Sequence, residues 1–270
     1  MKRRRVAVLG LGKIGSILLD GLLKAGLPPE SAVATVRHAD RAQALGAKRR
    51  VPVGTDNRAA VRGADVILIA VKPQNVRDLL TEIRADVTPA QVVISAAASV
   101  PTGFIEDALG APIPVVRAMP NTPCQVGAGM TGICRGTHAG EAHLDVARQM
   151  FDTVGRTVVV DEKHMDAVTG LSASGPAFVY IILESLAEAG VKVGLPRDVA
   201  TTLAAQTLLG AAKVALDTGD HPALLKDAVT TPAGCTIDGI LELEEGKLRV
   251  TLIKAVVKAT QRAKELMFEK

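Results

Sequence analysis

A short apolar strand that runs directly into a glycine-rich turn constrains this chain more than any other feature. Residues 5–15 carry the strand and then a G-x-G-x-x-G pattern, and an amphipathic helix follows. Glycines at these positions permit a tight turn, close approach of phosphates, and close packing of helix on strand. The helix N-terminus adds free N–H groups and a positive dipole end. This context, more than the glycines alone, predicts dinucleotide binding by Gly10, Leu11, Gly12, Lys13, Ile14 and Gly15.

The end of the second predicted strand indicates which dinucleotide binds. That strand covers residues 32–36 and ends at Arg37, with His38 and Arg41 following and no carboxylate at the strand end. A carboxylate there would select the free ribose hydroxyl of NAD, whereas a guanidinium can pair with a 2′-phosphate. We expect Arg37 to favour NADPH. NADH stays an alternative because Asp40, a carboxylate, is near the strand end. A basic loop that is merely solvated and binds no phosphate would have the same sequence.

The composition excludes several classes of partner. With 270 residues, 48% of them hydrophobic, the chain can bury the cores of two domains. A net charge of only +4, with one Tyr, four Phe and no Trp, leaves little for stacking on bases, so we expect no nucleic acid. No uninterrupted apolar run approaches the ~20 residues of a membrane span. Three cysteines without metal-ligand spacing fit a reducing compartment, and we expect a cytoplasmic protein without a metal.

The order of apolar segments predicts two domains of different class. Strands alternate with helices up to residue 160, which is typical of a Rossmann-type, doubly wound, mostly parallel sheet. Helical patterns alone follow, so we expect an α/β domain over residues 1–161 and an all-α domain over 162–270. The predicted helices cover 57–62, 75–85, 140–151, 177–190, 198–217, 222–229 and 247–267. The predicted later strands cover 66–71, 92–95, 114–116, 131–134 and 157–160.

The helical part contains a segment that is apolar on nearly all sides. Residues 178–183 should therefore be buried on several faces. In the next helix we expect five side chains to face inward: Val199, Leu203, Leu208, Ala211 and Val214. These features favour a homodimer through the helical domain, and the alternative is that this domain folds back on its own sheet.

Three loops at predicted strand ends lie where a cofactor should bind. They cover residues 70–74, 95–98 and 119–123, and two of them contain prolines that would hold the backbone rigid. An ordinary turn is the alternative for any one of them. The residues expected to contact cofactor are Ala70, Lys72, Ala97, Met119, Pro120 and Asn121.

Two further loops open helices in the second half of the chain. In residues 170–177, Ser174 could cap the helix and Pro176 suits its first position. In residues 230–237, Thr236 is placed as the N-cap, and a Gly/Thr turn at a helix start presents donors that bind a carboxylate. Ordinary capping is the alternative for both. None of the five histidines stands out as a general base, which suits a substrate such as a protonated imine.

Together these motifs resemble the Δ1-pyrroline-5-carboxylate reductases over essentially the whole chain. The resemblance covers residues 10–15, 70–74, 117–123, 172–177 and 227–236, of which the last two are the specific ones. It implies NAD(P)H-dependent reduction of a cyclic imine to proline, the last step of proline biosynthesis. It also implies dimers through interlocked helical domains, which in this family often form rings of dimers such as decamers.

The resemblance also implies roles for single residues. Thr236 matches a threonine proposed to hydrogen-bond the imine nitrogen. The loop at 231–236 matches one that binds the substrate carboxylate in the active site of the neighbouring protomer. Asn57 and Lys72 match cofactor contacts, and Ala97 matches a residue lining the nicotinamide site. The implied substrate-binding residues are Ser174, Gly175, Pro176, Thr231, Gly234, Cys235 and Thr236.

Two positions depart from the family pattern. Ala173 and Ala233 stand where the family usually has glycine, so each adds a methyl beside the predicted pocket. A methyl is tolerated there without strain only if the backbone avoids positive φ. We expect activity to be retained, with effects on substrate preference and affinity.

Three other functions fit parts of the pattern. The chain could reduce a different cyclic imino acid, or it could be a non-catalytic NADP-binding regulator using the same dimer. A β-hydroxyacid dehydrogenase shares the two-domain plan but needs a catalytic lysine in the helical domain. Lys192 and Lys213 are available, but they lie in no matching motif.

Overall fold

The computed structural model describes residues 4–266, and its first part is one eight-stranded sheet. The strand order is β3-β2-β1-β4-β5-β6-β7-β8, and every neighbouring pair is parallel except β6 with β7. The strands are β1 Val6–Leu9, β2 Ala32–Thr35, β3 Val53–Gly54, β4 Val66–Ile69, β5 Val92–Ser95, β6 Val115–Pro120, β7 Gly129–Arg135 and β8 Gly155–Val159. The predicted doubly wound, mostly parallel sheet is confirmed.

Helices cover both faces of this sheet because its strands are apolar on both faces. Val6 and Val8 of β1 belong to one buried cluster, whereas Ala7 and Leu9 belong to the other. Strands buried on both faces read as continuous apolar runs, which is the pattern that predicted them. The helices are α1 Lys13–Lys24, α2 Ala39–Arg49, α3 Asn57–Val61, α4 Val76–Ile83, α5 Thr102–Leu109, α6 Glu141–Phe151 and α7 Met165–Val168.

The remaining elements are helical, as the sequence predicted. They are a π-helical turn Thr169–Ala173 and the helices α8 Gly175–Lys192, α9 Arg197–Thr218, α10 Pro222–Ala228, α11 Cys235–Glu245 and α12 Leu248–Glu265. Contacts group residues up to Ser174 with those from Lys258 as one compact unit, and Gly175–Val257 as a second. The predicted domain boundary at residue 161 stays a prediction. Residues 1–3 and 267–270, with part of the basic N-terminal cluster and the last residue of the final predicted helix, lie outside the described residues.

The helices of the second unit do not bury their large apolar side chains within one chain, which corrects two expectations. Tyr180 and Ile181 of α8 are 56% and 63% exposed, and Leu203 of α9 is 53% exposed. Val199, Ala211 and Val214 are also exposed, and Leu208 is only half-buried. The physical reason lies in the contact between α8 and α9, which is made through small residues. A Cβ added to Gly190 would lie 2.8 Å from the Cβ of Ala200, so the backbones approach closely and the larger side chains point elsewhere.

Two helical stretches meet the length and composition of a membrane span. They are Glu162–Lys192 and Arg197–Thr218, and 6% and 11% of their most apolar windows is buried. Both stretches contain charged residues, such as Glu184 and Lys213, so a search for uninterrupted apolar runs does not detect them. Core helices of soluble proteins can have the same length and composition, so these two stretches are only weak evidence for a membrane location.

Candidate functional site: a dinucleotide groove

A groove of about 710 Å³ lies at the carboxyl ends of β1, β2 and β4. β1 lies between β2 and β4, so the chain reverses its direction of strand addition at this point of the sheet. Ligands of open α/β sheets bind at such a switch point. Seven of the predicted cofactor residues line this groove: Gly10, Leu11, Gly12, Arg37, Asn57, Ala70 and Lys72.

The glycine turn has the geometry that a pyrophosphate requires. Gly10 has φ +100°, and a Cβ there would lie 2.9 Å from Val71 Cγ1. A Cβ on Gly15 would collide with the Gly10 carbonyl oxygen, so this glycine allows α1 to pack against the turn. Gly12 is the N-cap of α1, and a Cβ there would meet nothing within 4 Å. The turn is therefore a cradle whose open side is at Gly12, and it fits a phosphate group on the helix N-terminus.

Cationic side chains gather along the groove. Arg37, His38 and Arg41 follow β2, and Lys72 follows β4. The Arg37 guanidinium donates through Nη2 to Asn75 Oδ1 at 2.9 Å, which holds it at the groove. A guanidinium so placed can take a phosphate in bidentate geometry. The electrostatics of this end therefore suit the additional phosphate of NADP.

Asn57 is fixed by hydrogen bonds at both ends of its amide. Its Oδ1 accepts from the buried Thr35 hydroxyl at 2.7 Å, and its Nδ2 donates to Glu82 Oε2 at 2.9 Å. These bonds assign the amide orientation and tie α3 to β2 and α4. An amide held in this way presents a rigid polar surface to a ligand.

Sequence reasoning missed the contribution of α4 to the groove. Asp78, Leu79 and Glu82 of α4 line it, together with Asn75 at the N-cap of the helix, and their spacing places all four along one side. The apolar stripe of α4 was evident from the sequence. The same 3.6-residue period that gives the apolar stripe also indicates which side chains lie on the other side of the helix. The sequence does not show that this side borders the nucleotide groove, because that depends on β4 lying next to β1 in the sheet.

Seven predicted cofactor residues do not line this groove. Lys13, Ile14 and Gly15 lie in the first turn of α1, and Ala97 is buried after β5. Met119 and Pro120 are the last residues of β6, which corrects their expected place in a loop, because Pro120 pairs with Thr131 of β7. Asn121 follows, with its amide hydrogen-bonded to the backbone of two other segments. Their contact with cofactor stays a prediction.

The predicted substrate residues fall into two groups. Ser174, Gly175 and Pro176 continue directly from the π-helical turn into α8, so no loop separates the elements, and Ser174 is the C-cap of the π-helical turn instead of the expected N-cap of α8. π-helical turns inside α-helices are frequent at functional sites. The structure places the other four, Thr231, Gly234, Cys235 and Thr236, at the start of α11.

The N-cap of α11 is Gly234, which corrects the expectation for Thr236. The turn closes early because the Gly234 N–H donates to the Thr231 carbonyl at 3.1 Å. A Cβ on Gly234 would also collide with the Thr231 hydroxyl. Thr236 is therefore half-buried in the first turn of α11, among N–H groups that have no intrahelical partner.

Ala233 adopts the left-handed conformation that the sequence argument identified as the unfavourable case. Its φ is +57°, a region that costs an L-residue about 1–2 kcal/mol. Ala173 lies in the π-helical turn and has no positive φ. Of the two departures from the family pattern, only the one at Ala233 therefore strains the backbone.

Two of the three cysteines are buried away from this chemistry. Burial raises the pKa of Cys124, and burial together with the Glu162 carboxylate raises the pKa of Cys134 to about 12. Both stay protonated and poorly nucleophilic at neutral pH. Cys235 is exposed at the start of α11. Within residues 4–266, no group of three or more His, Cys, Asp or Glu side chains is arranged to hold a metal ion.

Comparison with known proteins agrees with both parts of the chain. Residues 162–266 match the family described as pyrroline-5-carboxylate reductase dimerisation. Residues 5–99 match the family described as NADP oxidoreductase, coenzyme F420-dependent. A pyrroline-5-carboxylate reductase of Methanosarcina acetivorans is 45% identical over 98% of this chain and 99% of the relative.

Solved structures give the same result. A pyrroline-5-carboxylate reductase of Coxiella burnetii has a TM-score of 0.92 at 36% identity, covering 97% of this chain and 98% of the other. A Plasmodium falciparum pyrroline carboxylate reductase, solved with NADP bound, has a TM-score of 0.87 at 29% identity and covers 99% of both chains. The groove, the glycine cradle and these likenesses place the chain in the pyrroline-5-carboxylate reductase family.

Proposed function

We propose that this protein reduces 1-pyrroline-5-carboxylate to L-proline with NADPH, as the last step of proline biosynthesis. The observation that carries the proposal is the glycine cradle and its cationic groove, in a chain that matches a pyrroline-5-carboxylate reductase at 45% identity over nearly its whole length. NADPH, when bound, would supply a hydride to the carbon of the protonated imine, which gives the secondary amine of proline and NADP⁺. The residues of the chain bind and orient the two reactants.

On the cofactor side, residues Gly10–Gly15 take the pyrophosphate and Arg37 takes the 2′-phosphate. Arg37, which donates to Asn75 Oδ1 in the structure, would hold that phosphate through charge-assisted hydrogen bonds. Asn57 and Lys72 contact the nucleotide from the ends of neighbouring elements. Ala70 and Ala97 border it, together with Met119, Pro120 and Asn121. NADH is the alternative donor and lacks the group that Arg37 would bind.

On the substrate side, the start of α11 takes the carboxylate. The N–H groups of Cys235 and Thr236 offer donors and the positive end of the helix dipole, while Gly234, whose own N–H is bonded to the Thr231 carbonyl, shapes the turn beside them. Thr231, Ser174, Gly175 and Pro176 complete the proposed binding residues. The Thr236 hydroxyl orients the ring nitrogen, so that catalysis depends on positioning and electrostatics more than on a general base.

The exposed apolar side chains of α8 and α9 favour a homodimer through the helical domain, over residues 162–270. Large exposed apolar patches mark interaction sites, and the matched family description is one of dimerisation. Burial of these faces in a dimer would also account for the high hydrophobicity of α8 and α9, so no membrane is needed to explain it. We further propose that the loop at 231–236 serves the neighbouring protomer, that dimers assemble into rings such as decamers, and that the enzyme is cytoplasmic and binds no nucleic acid.

The test is oxidation of NADPH by the purified protein in the presence of 1-pyrroline-5-carboxylate, with proline identified as product and NADH run in parallel. Substrate-dependent oxidation supports the proposal, and a preference for NADPH supports the role of Arg37. Absence of turnover in a folded protein that binds NADPH would contradict it. Another cyclic imino acid or a β-hydroxy acid would then be assayed, and inertness toward both would favour a regulator.

One observation weighs against the β-hydroxyacid dehydrogenase alternative. Lys213 forms an ion pair with Asp217 one helical turn away on α9, and its side chain is 70% exposed. A lysine paired with a carboxylate on its own helix would have to give up that pair before donating a proton to a bound substrate.

A further inference from the structure

Asn121 connects the end of the sheet to the turn that leads into the proposed substrate residues. Its Nδ2 donates to the Ser172 carbonyl at 3.2 Å, and its Oδ1 accepts from the Met130 N–H at 2.9 Å. The Ser172 hydroxyl lies 3.5 Å from the same Nδ2. Both ends of the amide are therefore engaged with protein, and the side chain bridges β7 to the π-helical turn.

The π-helical turn is held closely on its other sides. A Cβ on Gly132 of β7 would lie 2.7 Å from Val168 Cγ1, so α7 packs directly on the strand. A Cβ on Gly170 would lie 2.8 Å from the backbone nitrogen of Thr260. These contacts fix the position of the turn, but they are apolar or steric and do not select its hydrogen-bonding pattern.

A side chain of β6 secures the segment before the turn. Arg117 is 4% exposed, and its Nη1 and Nη2 lie 3.5 Å from Glu162 Oε1 and 3.6 Å from Asp166 Oδ1. Glu162 also accepts from the Thr102 N–H at 2.7 Å. The segment from Glu162 to Ser172 is thus bound at its beginning by Arg117 and at its end by Asn121.

We propose that Asn121 is a positioning residue, whose amide sets the π-helical turn and through it the placement of Ser174. A π-helical turn has poorer intrinsic stability than an α-helical one, and here it closes with the Ser174 N–H on the Thr169 carbonyl at 3.0 Å. The donor on Asn121 satisfies the Ser172 carbonyl in this geometry. The role in substrate binding rests on the proposed function, whereas the effect on the turn does not.

The informative variant is Asn121→Asp, which is isosteric. It keeps an acceptor for the Met130 N–H and replaces the donor to Ser172 by a carboxylate oxygen that repels the carbonyl. The matched control is Gln125→Glu, the same change of charge on an exposed side chain four residues away. Hydrogen exchange at the Ser174 N–H reports the turn directly. We expect it to be about five-fold faster in Asn121→Asp, as for loss of one hydrogen bond, and unchanged in the control.

Kinetics provide the second readout. We expect Asn121→Asp to raise the KM for 1-pyrroline-5-carboxylate about ten-fold, and to raise the Kd for NADPH, which Asn121 is also proposed to border, by a smaller factor. Unchanged exchange at Ser174, or a loss of NADPH affinity as large as the change in KM, would overturn the proposal. If the wild-type protein itself shows no turnover, the proposed function fails, and the exchange measurement still decides the role of Asn121.

Discussion

The central strands of the sheet bury their apolar side chains, whereas the helices of residues 175–257 leave most of theirs exposed. Every residue of β1 and β4 is buried, and helices cover both faces of these strands. Among residues 175–257, only Ala187, Ala200 and Ala204 are buried, while side chains as large as Ile181 and Leu203 are more than half exposed. The strands β1 and β4 bury their apolar side chains within a single chain. The helical part exposes an apolar surface, which is typical of a surface that another protein chain covers.

Breaking the apolar surface should have the largest effect. Ile181→Glu places a charge on a 63% exposed position of α8, and we expect the dimer to dissociate and activity to be lost, because an unpaired charge cannot be desolvated there. Light scattering after size exclusion measures the mass. Val126→Glu is the matched control, since Val126 is 75% exposed outside the helical unit, and its mass should not change. A dimeric Ile181→Glu protein would refute this assignment of the surface.

The next effect tests the proposed substrate end of the contrast. Thr236→Ala removes a hydroxyl from the first turn of α11, and we expect kcat to fall about 10²-fold, as for loss of one preorganised donor. The Kd for NADPH should stay unchanged, since the groove belongs to the other unit. Thr81→Ala removes an exposed hydroxyl bonded only to its own helix and should behave as wild type. Equal losses of turnover and NADPH affinity would sink the role of Thr236.

A smaller effect tests the nucleotide end. Arg37→Ala should raise the KM for NADPH about ten-fold and leave that for NADH unchanged, since only NADPH carries the phosphate that a charge-assisted hydrogen bond would hold. Lys48→Ala removes an exposed positive charge from α2 and controls for net charge. An equal rise of KM for both cofactors would show that Arg37 does not read the 2′-phosphate.

The smallest expected change concerns stability. Ala233→Gly removes the cost of a left-handed alanine and should raise the free energy of unfolding by up to ~1 kcal/mol, or about 2 °C in Tm. Ala44→Gly in the middle of α2 should lower that free energy by ~1 kcal/mol, so the two substitutions have opposite signs. Thermal unfolding measures both. A destabilised Ala233→Gly protein would mean that the alanine is not strained.

Local patterns predicted much of the fold. Continuous apolar runs gave β4 and β5, and the glycine spacing gave the turn at Gly10–Gly15. α2 was not predicted, because it buries only Ala42 and so lacks an apolar stripe. β3 has two residues, which is too short for any period to be visible.

The site was predictable where one element supplies it and less so where several meet. Arg37 follows from the end of a single strand, whereas Asn75 and Glu82 reach the groove only because β4 lies beside β1. The prediction that α8 is buried is wrong for a single chain, in which Tyr180 and Ile181 are exposed. An apolar helix face indicates that something covers it, but not whether the same chain or a second chain does so. The cap of α11 was misplaced by two residues, because the turn at Thr231 closes on Gly234.

Activity of a mixed dimer tests the contrast between the two parts most directly. Gly12→Asp places a negative charge on the open side of the glycine cradle, where a Cβ meets nothing within 4 Å, so it should block the pyrophosphate without disturbing the fold. Thr236→Ala impairs the proposed substrate loop, and each homodimer should have at most about one hundredth of the wild-type kcat. The mixed dimer, purified through two affinity tags, pairs an intact groove with an intact loop of the partner once per dimer. We expect about half of the wild-type kcat with 1-pyrroline-5-carboxylate; a mixed dimer as inactive as its parents would contradict the account.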